Sequence, residues 1–132
     1  MSEPANPTIV RARELVLTHG WNSTSFQIVN PGIRRWFSDK GDAVVGYVAS
    51  NSIRVVVGAP VCHRNRLDEV VSEFEADTGN AGERVCYFAA ESRLESVFSG
   101  SGTHAKILLG AQPVWDPRDW AAIVKRQRQM LE

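Results

Sequence analysis

The sequence predicts an α/β (α+β) domain with one mixed sheet, opened by an antiparallel hairpin and completed by alternating helices and strands. Three observations carry this prediction. Residues 43–49 and 53–58 are strand-like runs separated only by Ser50-Asn51-Ser52, short enough for a hairpin. From Asn65 the apolar spacing changes from a strand period to a helical one. Beyond that point helix and strand signals alternate, which places helices on the faces of a sheet.

The elements follow in order. Asn6-Pro7 opens a first helix over residues 8–19, with Asn6 as cap, Pro7 at the first helical position and Gly20 as stop. Residues 21–42 are broken by Pro31-Gly32, and Ile33, Trp36 and Phe37 at helical spacing predict a short helix before Gly41. After the hairpin, Leu67, Val70, Val71 and Phe74 mark one apolar face of a helix running from Asn65 to about Asp77. Gly79-Asn80-Ala81-Gly82 turns the chain, and the unbroken apolar run of residues 85–89 predicts a strand covered on both faces, with Cys86 buried. Ser92-Arg93-Leu94-Glu95 has the spacing of a capping box for a short helix that Gly100-Ser101-Gly102 ends. Residues 104–109 read as a further strand. Asp116-Pro117-Arg118-Asp119 starts the last helix, with Asp116 as its cap. No repeat, low-complexity tract or linker divides residues 1–132, so they read as a single domain. The last helix runs out through Lys125 to Glu132 without a cap, as in a chain that continues into a longer protein.

Composition narrows the function. The chain has 132 residues, 43% of them hydrophobic, enough for a core that needs neither disulfide nor metal. Fifteen basic residues balance fifteen acidic ones, which argues against a whole-surface polyanion binder. The longest apolar runs, such as Ile107-Leu108-Leu109, fall far short of the ~20 residues that cross a bilayer, and the first residues lack a secretory pattern. A cytoplasmic setting is the expectation. Cys62 and Cys86 fit neither a disulfide framework nor a metal-ligand spacing, and Cys62 cannot be assumed to face its neighbour His63 as a base. Gly100-Ser-Gly102-Thr-His-Ala105 fits a dinucleotide fingerprint only in letters, because it precedes a strand where the motif must precede a helix. His19, His63 and His104 are scattered, so neither a zinc site nor a catalytic triad is expected.

Charge is uneven. Residues 1–66 carry eight Lys/Arg and four Asp/Glu, and residues 67–132 carry seven and eleven. The acids between Asp68 and Glu95 read most simply as a solvated helix face. Arg34-Arg35 beside Trp36-Phe37, and Lys125-Arg126 with Arg128, are small basic clusters that are candidates for contact with lipid or RNA phosphate. Trp115 and Trp120 bracket the start of the last helix and are candidates for core packing or for a partner surface.

The element order is similar to the acyltransferase fold called GNAT. In that fold the turn after the hairpin holds a coenzyme A pyrophosphate on backbone N–H groups. The matching stretch, Val57-Gly58-Ala59-Pro60-Val61-Cys62-His63-Arg64, has one glycine, and Pro60 removes a donor, so no acetyl-CoA cofactor is expected. Five blocks in order point elsewhere: Gly41-Asp42-Ala43-Val44-Val45-Gly46-Tyr47-Val48, Val57 to Cys62, Glu73-Phe74-Glu75, Arg84-Val85-Cys86-Tyr87-Phe88, and Gly110-Ala111-Gln112-Pro113-Val114-Trp115. Together, from about Trp21 onward, they resemble the C-terminal domain family of bacterial phosphatidylglycerol lysyltransferases. The resemblance implies tandem GNAT-like repeats that transfer an amino acid from aminoacyl-tRNA to phosphatidylglycerol. It places this chain at the first repeat, whereas the family's catalytic and tRNA-end residues lie mainly in the second. The implied partners are a second repeat of the same polypeptide and, through the whole protein, aminoacyl-tRNA and anionic phospholipid on the cytosolic side of a membrane. No catalytic residue, cofactor or metal is carried over. Two other readings stay open: a protein-interaction module of the same fold, and a free-standing acyl-CoA-dependent acyltransferase.

Overall fold

The computed structural model describes residues 6–111 and 116–131, which fall into two compact units, Met1–Ser101 and Gly102–Glu132. The first unit holds helices α1 (Pro7–His19), α2 (Leu67–Asn80) and α3 (Glu95–Phe98) and strands β1 (Arg34–Phe37), β2 (Val44–Ser50), β3 (Ile53–Val57) and β4 (Arg84–Phe88). The sheet order is β1-β2-β3-β4, antiparallel in its first two pairings and parallel between β3 and β4. A parallel pair requires a crossover, and α2 supplies it.

Local sequence explains the elements that formed as expected. The Asn6 side chain accepts the Thr8 N–H at 3.0 Å and caps α1, with Pro7 in the first turn. The hairpin turns on Asn51 and Ser52, both at positive φ (51° and 62°), a backbone that matches the twist of the flanking strands. The apolar stripe of α2, Leu67, Val70, Val71 and Phe74, is buried as its spacing requires.

Other elements differ from the expectation. Residues 33–37 form no helix. Arg34–Phe37 is an edge strand, and the helical turns upstream are a 3-10 helix over Ser23–Val29 capped by Asn22, whose side chain accepts the Ser25 N–H at 3.0 Å. Four residues cannot hold a helix against a neighbouring strand that offers a complete ladder. β4 is covered on one face only: Val85 and Tyr87 turn inward, while Arg84, Cys86 and Phe88 are exposed. Cys86 is therefore a surface thiol and not a core residue. Ser92 caps nothing, because Glu91–Leu94 is a 3-10 turn that runs directly into α3 without a side-chain cap.

The sheet separates two cores. On one face α2 covers Ala43, Val45, Val56, Ala59 and Cys62, and Phe74 stacks edge-on to Trp36 with ring centres 5.3 Å apart. On the other face α1 and the Ser23–Val29 turns cover Val44 and Val61 with Ala12, Leu15, Val16 and Ile28. Gly46 lies beneath Ile28: a methyl group on Gly46 would come within 2.5 Å of the Ile28 side chain. That position must be glycine for the second core to close.

Ion pairs pin α2 to the sheet. Arg54, almost fully buried on β3, donates to Asp77 and Glu83, both at 3.1 Å, and to the Thr78 hydroxyl at 3.3 Å. At the other end of the helix Arg66 donates to Asp42 at 2.7 Å and also pairs with Glu69. Glu73 accepts the Asp39 N–H at 2.7 Å, and the Tyr87 hydroxyl donates to Glu75 at 3.0 Å. Glu73, Glu75, Asp77 and Glu83 thus tie this segment to the sheet and its turns, while Asp68 and Glu69 stay exposed as the solvated face that the sequence suggests. The Arg66 hydrogen bond, helped by the Ser38 hydroxyl, holds the Asp42 carboxyl down at about 2.

In the second unit residues 104–109 form no strand, and Ile107, Leu108 and Leu109 are exposed. Strand propensity is realised only where a neighbouring strand supplies hydrogen bonds. Asp116 accepts the Arg118 N–H at 2.9 Å and caps a 3-10 turn, Pro117–Asp119, that leads into α4 (Trp120–Leu131). The cap falls one residue earlier than a bond to the Asp119 N–H would place it.

Two outcomes are expected. Gly46→Ala forces Ile28 out of its place and lowers stability by about 1–3 kcal/mol in denaturant unfolding. Asp42 has a folded pKa below its unfolded value near 3.8, so its contribution is complete above about pH 4 and is lost as pH falls toward 2. Denaturation midpoints measured between pH 6 and pH 2 should show an acid-dependent loss in the wild type that is smaller in Asp42→Asn.

Candidate functional site

The C-terminal ends of the parallel strands β3 and β4 gather the chemically able side chains of the first unit, the place where ligands bind in open α/β sheets. β3 ends at Val57 and is followed by Gly58, which has φ +82° and lies against the Trp21 ring. Its N–H donates to the Phe88 carbonyl at 2.8 Å. The chain then turns inward, and Ala59, Pro60, Val61 and Cys62 are all buried. Val61 exchanges both backbone hydrogen bonds with Val44, at 2.9 and 3.1 Å.

This geometry decides what the loop can do. Pro60 has no N–H, and those of Gly58 and Val61 are spent on the sheet. Helix α2 opens with Asp68 and Glu69 in its first turn, so acids already meet its positive end. The stretch is a buried leg of the sheet and not an exposed ring of donors for a pyrophosphate.

Cys62 is buried, and burial pushes its thiol above the ordinary range, which leaves it unsuited to act as a thiolate nucleophile. His63 accepts the Asn65 N–H on Nδ1 at 3.2 Å, so its ring caps the turn that precedes α2. The His19 ring stands edge-on to it, with centres 6.1 Å apart.

The strand β4 leads into a strained corner. Ala89 and Glu91 both have positive φ, 57° and 54°, which non-glycine residues adopt at a cost. Glu91 accepts from the Asn22 side chain at 3.1 Å. Two residues on, Arg93 reaches back to donate to the Cys62 carbonyl at 2.9 Å, and its guanidinium lies 5.7 Å from the centre of the Trp21 ring. The Nε of Arg93 and the indole N–H of Trp21 are buried and without partners. Burial lowers the Arg93 pKa, and the nearby Arg64 charge adds to the shift.

The residues singled out in the sequence lie elsewhere. Arg34 and Arg35 alternate along β1 and so point to opposite faces of the sheet. Arg34 is exposed, and Arg35 donates to the Ile28 carbonyl at 2.9 Å. Lys125, Arg126 and Arg128 are exposed on α4, as is Trp120 at its start, and all four belong to the second unit. Trp115 lies outside the described residues. Sequence reasoning missed Trp21, Asn22, Glu91 and Arg93. No local signal marks them, because they come from segments some seventy positions apart. Among the described residues no group of three or more His, Cys, Asp or Glu could hold a metal, and no helix is long and apolar enough to cross a membrane.

Comparison with known proteins places this geometry. Residues 13–130 match the model of the family described as phosphatidylglycerol lysyltransferase, C-terminal. The fold is similar to that of L-PGS from Bacillus licheniformis, with a TM-score of 0.63 and 19% identity over 77% of this chain and 31% of that one. It is also similar to the C-terminal domain of a protein assigned as a lysylphosphatidylglycerol synthetase from Agrobacterium fabrum, with a TM-score of 0.60 and 22% identity over 72% of this chain and 30% of that one. The chain thus spans about a third of the length of these solved relatives. No curated protein matches it.

With Pro60 lacking an N–H and those of Gly58 and Val61 bonded to the sheet, the turn after β3 is not expected to hold the pyrophosphate of acetyl-CoA. Titration calorimetry should detect no binding at physiological concentrations, and a low-micromolar dissociation constant would refute this account of the loop.

Proposed function

The chain belongs to the phosphatidylglycerol lysyltransferase C-terminal family, and from that membership we propose that it is the first, non-catalytic GNAT-like half of an aminoacyltransferase that moves an amino acid from aminoacyl-tRNA to a phospholipid. The family match over residues 13–130, on a chain that spans only about a third of its solved relatives, carries the reading. In this reading the chain works beside a second repeat of the same polypeptide, on the cytosolic side of a membrane, and meets charged tRNA and anionic lipid through the whole protein.

The chemistry of transfer supports a supporting role. Aminoacyl transfer needs the ester carbon and the lipid hydroxyl held together, a group to take the proton, and donors for the oxyanion. At the ends of β3 and β4 the thiol of Cys62 is buried, His63 is engaged as a cap, and Glu91 is held by Asn22. These side chains hold loops in place and do not converge on a reacting atom.

A second reading, a module that binds another protein domain, draws on the sheet face opposite α2. There the neighbours Val48, Val55 and Cys86, and beside them Val57 and Phe88, form a partly open apolar surface. The two readings are separated by activity. Residues 1–132, incubated with charged tRNA and phosphatidylglycerol, should yield no aminoacyl-lipid, while a chain extended by a second repeat should. Aminoacyl-lipid made by the short chain alone would overturn the non-catalytic assignment, and an inactive extended chain would favour the binding module.

A further inference from the structure

Three arginines of the first unit other than Arg93 are drawn into its interior, and their company differs. Arg54 sits between Asp77 and Glu83, and Arg66 between Asp42 and Glu69. Arg35 and Arg93 each donate to one carbonyl, of Ile28 and of Cys62, and each leaves its Nε buried without a partner. Arg93 alone combines the lack of a carboxylate with a second buried orphan donor stacked against it, the Trp21 indole N–H. It also has a second cation nearby: Arg64, exposed, forms no ion pair among the described residues and adds its repulsion to the burial that disfavours the Arg93 charge. A half-buried cation without a counter-charge is costly, and a second cation beside it raises that cost.

We propose that Arg93 and Arg64, with the Trp21 ring as the platform that orients the Arg93 guanidinium, form an anion site that takes the phosphate group of a phosphoryl ester or free phosphate. The planar guanidinium matches the spacing of phosphate oxygens, and two cations suit a group that carries more than one negative charge. The site uses side chains, so the spent backbone donors of the preceding loop do not oppose it. It stands on local charge balance and not on aminoacyl transfer, so either reading can fail alone.

The test is an NMR titration of the 132-residue chain with inorganic phosphate at constant ionic strength, following the Trp21 indole and Arg93 guanidinium N–H resonances. Both should shift and saturate. Arg93→Gln should weaken binding about tenfold or more and Arg64→Gln about threefold, as expected for a charge-assisted hydrogen bond and for a more exposed charge. Arg64 is exposed, so its variant keeps the test open if Arg93→Gln fails to fold. Sodium glycerol 3-phosphate distinguishes the sources: tighter binding than inorganic phosphate assigns the site to a phosphate monoester, and equal or weaker binding to free phosphate. Absence of saturable shifts with either, equal binding of sodium acetate, or unchanged binding in both variants would overturn the proposal.

Discussion

The buried guanidinium of Arg54 is the constraint on which the α2 side of the sheet depends. A cation on a central strand, with a side chain only 9% exposed, would unfold the layer around it if left alone. Asp77 from the end of α2 and Glu83 from the turn before β4 neutralise it, Thr78 satisfies a further hydrogen, and the rings of Tyr47 and Phe74 lie 5.0 and 5.7 Å from its charge. Burial works against the charged form, and the two carboxylates more than offset that effect, so its pKa ends above the ordinary value. One side chain thus joins the hairpin, the crossover helix and the parallel strand. Each of those elements is short, and none would hold its register by propensity alone.

At the opposite end of α2 the same device recurs, half-buried and nearer the surface. Arg66 ties the helix start to Asp42 in the β1–β2 turn, and Glu73 receives the Asp39 backbone from that turn. With both ends fixed, the buried loop of residues 59–62 has one path, against β2. That path explains the chemistry of the corner. The Gly58 and Val61 N–H groups, which would greet an anion in an open loop, are consumed by the sheet, Pro60 has none, and the remaining cationic character rests with Arg64 and Arg93, which the acids of α2 do not reach.

The two faces of the sheet are unequal. Behind β1 and β2, α1 and the Ser23–Val29 turns close a complete core in which Gly46 gives up its side chain to admit Ile28. Toward β4 that cover ends, and Phe88 is 53% exposed. Apolar surface left open on one part of one face gives the sheet a side suited to contact, in keeping with a domain from a family whose solved members are about three times as long.

The sequence by itself determined the elements whose signals are local. Asn6-Pro7, the short hairpin connection at Ser50-Asn51-Ser52 and the stripe of Leu67, Val70, Val71 and Phe74 each specify their structure within a few residues, through a cap, a tight turn and a period. The family was legible for a related reason: its blocks lie in order along the chain. The tertiary structure alone decided the rest. Arg34–Phe37 became a strand because β2 offered it a ladder, the run at residues 104–109 formed none, and β4 was left half uncovered, outcomes set by neighbours that the local pattern does not encode. The candidate site belongs to the same class. Trp21, Cys62 and Arg93 meet only after the parallel pairing of β3 and β4 has formed, and whether an arginine is neutralised or left bare depends on which carboxylate folding brings beside it. Periodicity reports which face of an element is buried, and charge balance at a point in space depends on contacts between distant segments, so only the folded chain fixes it.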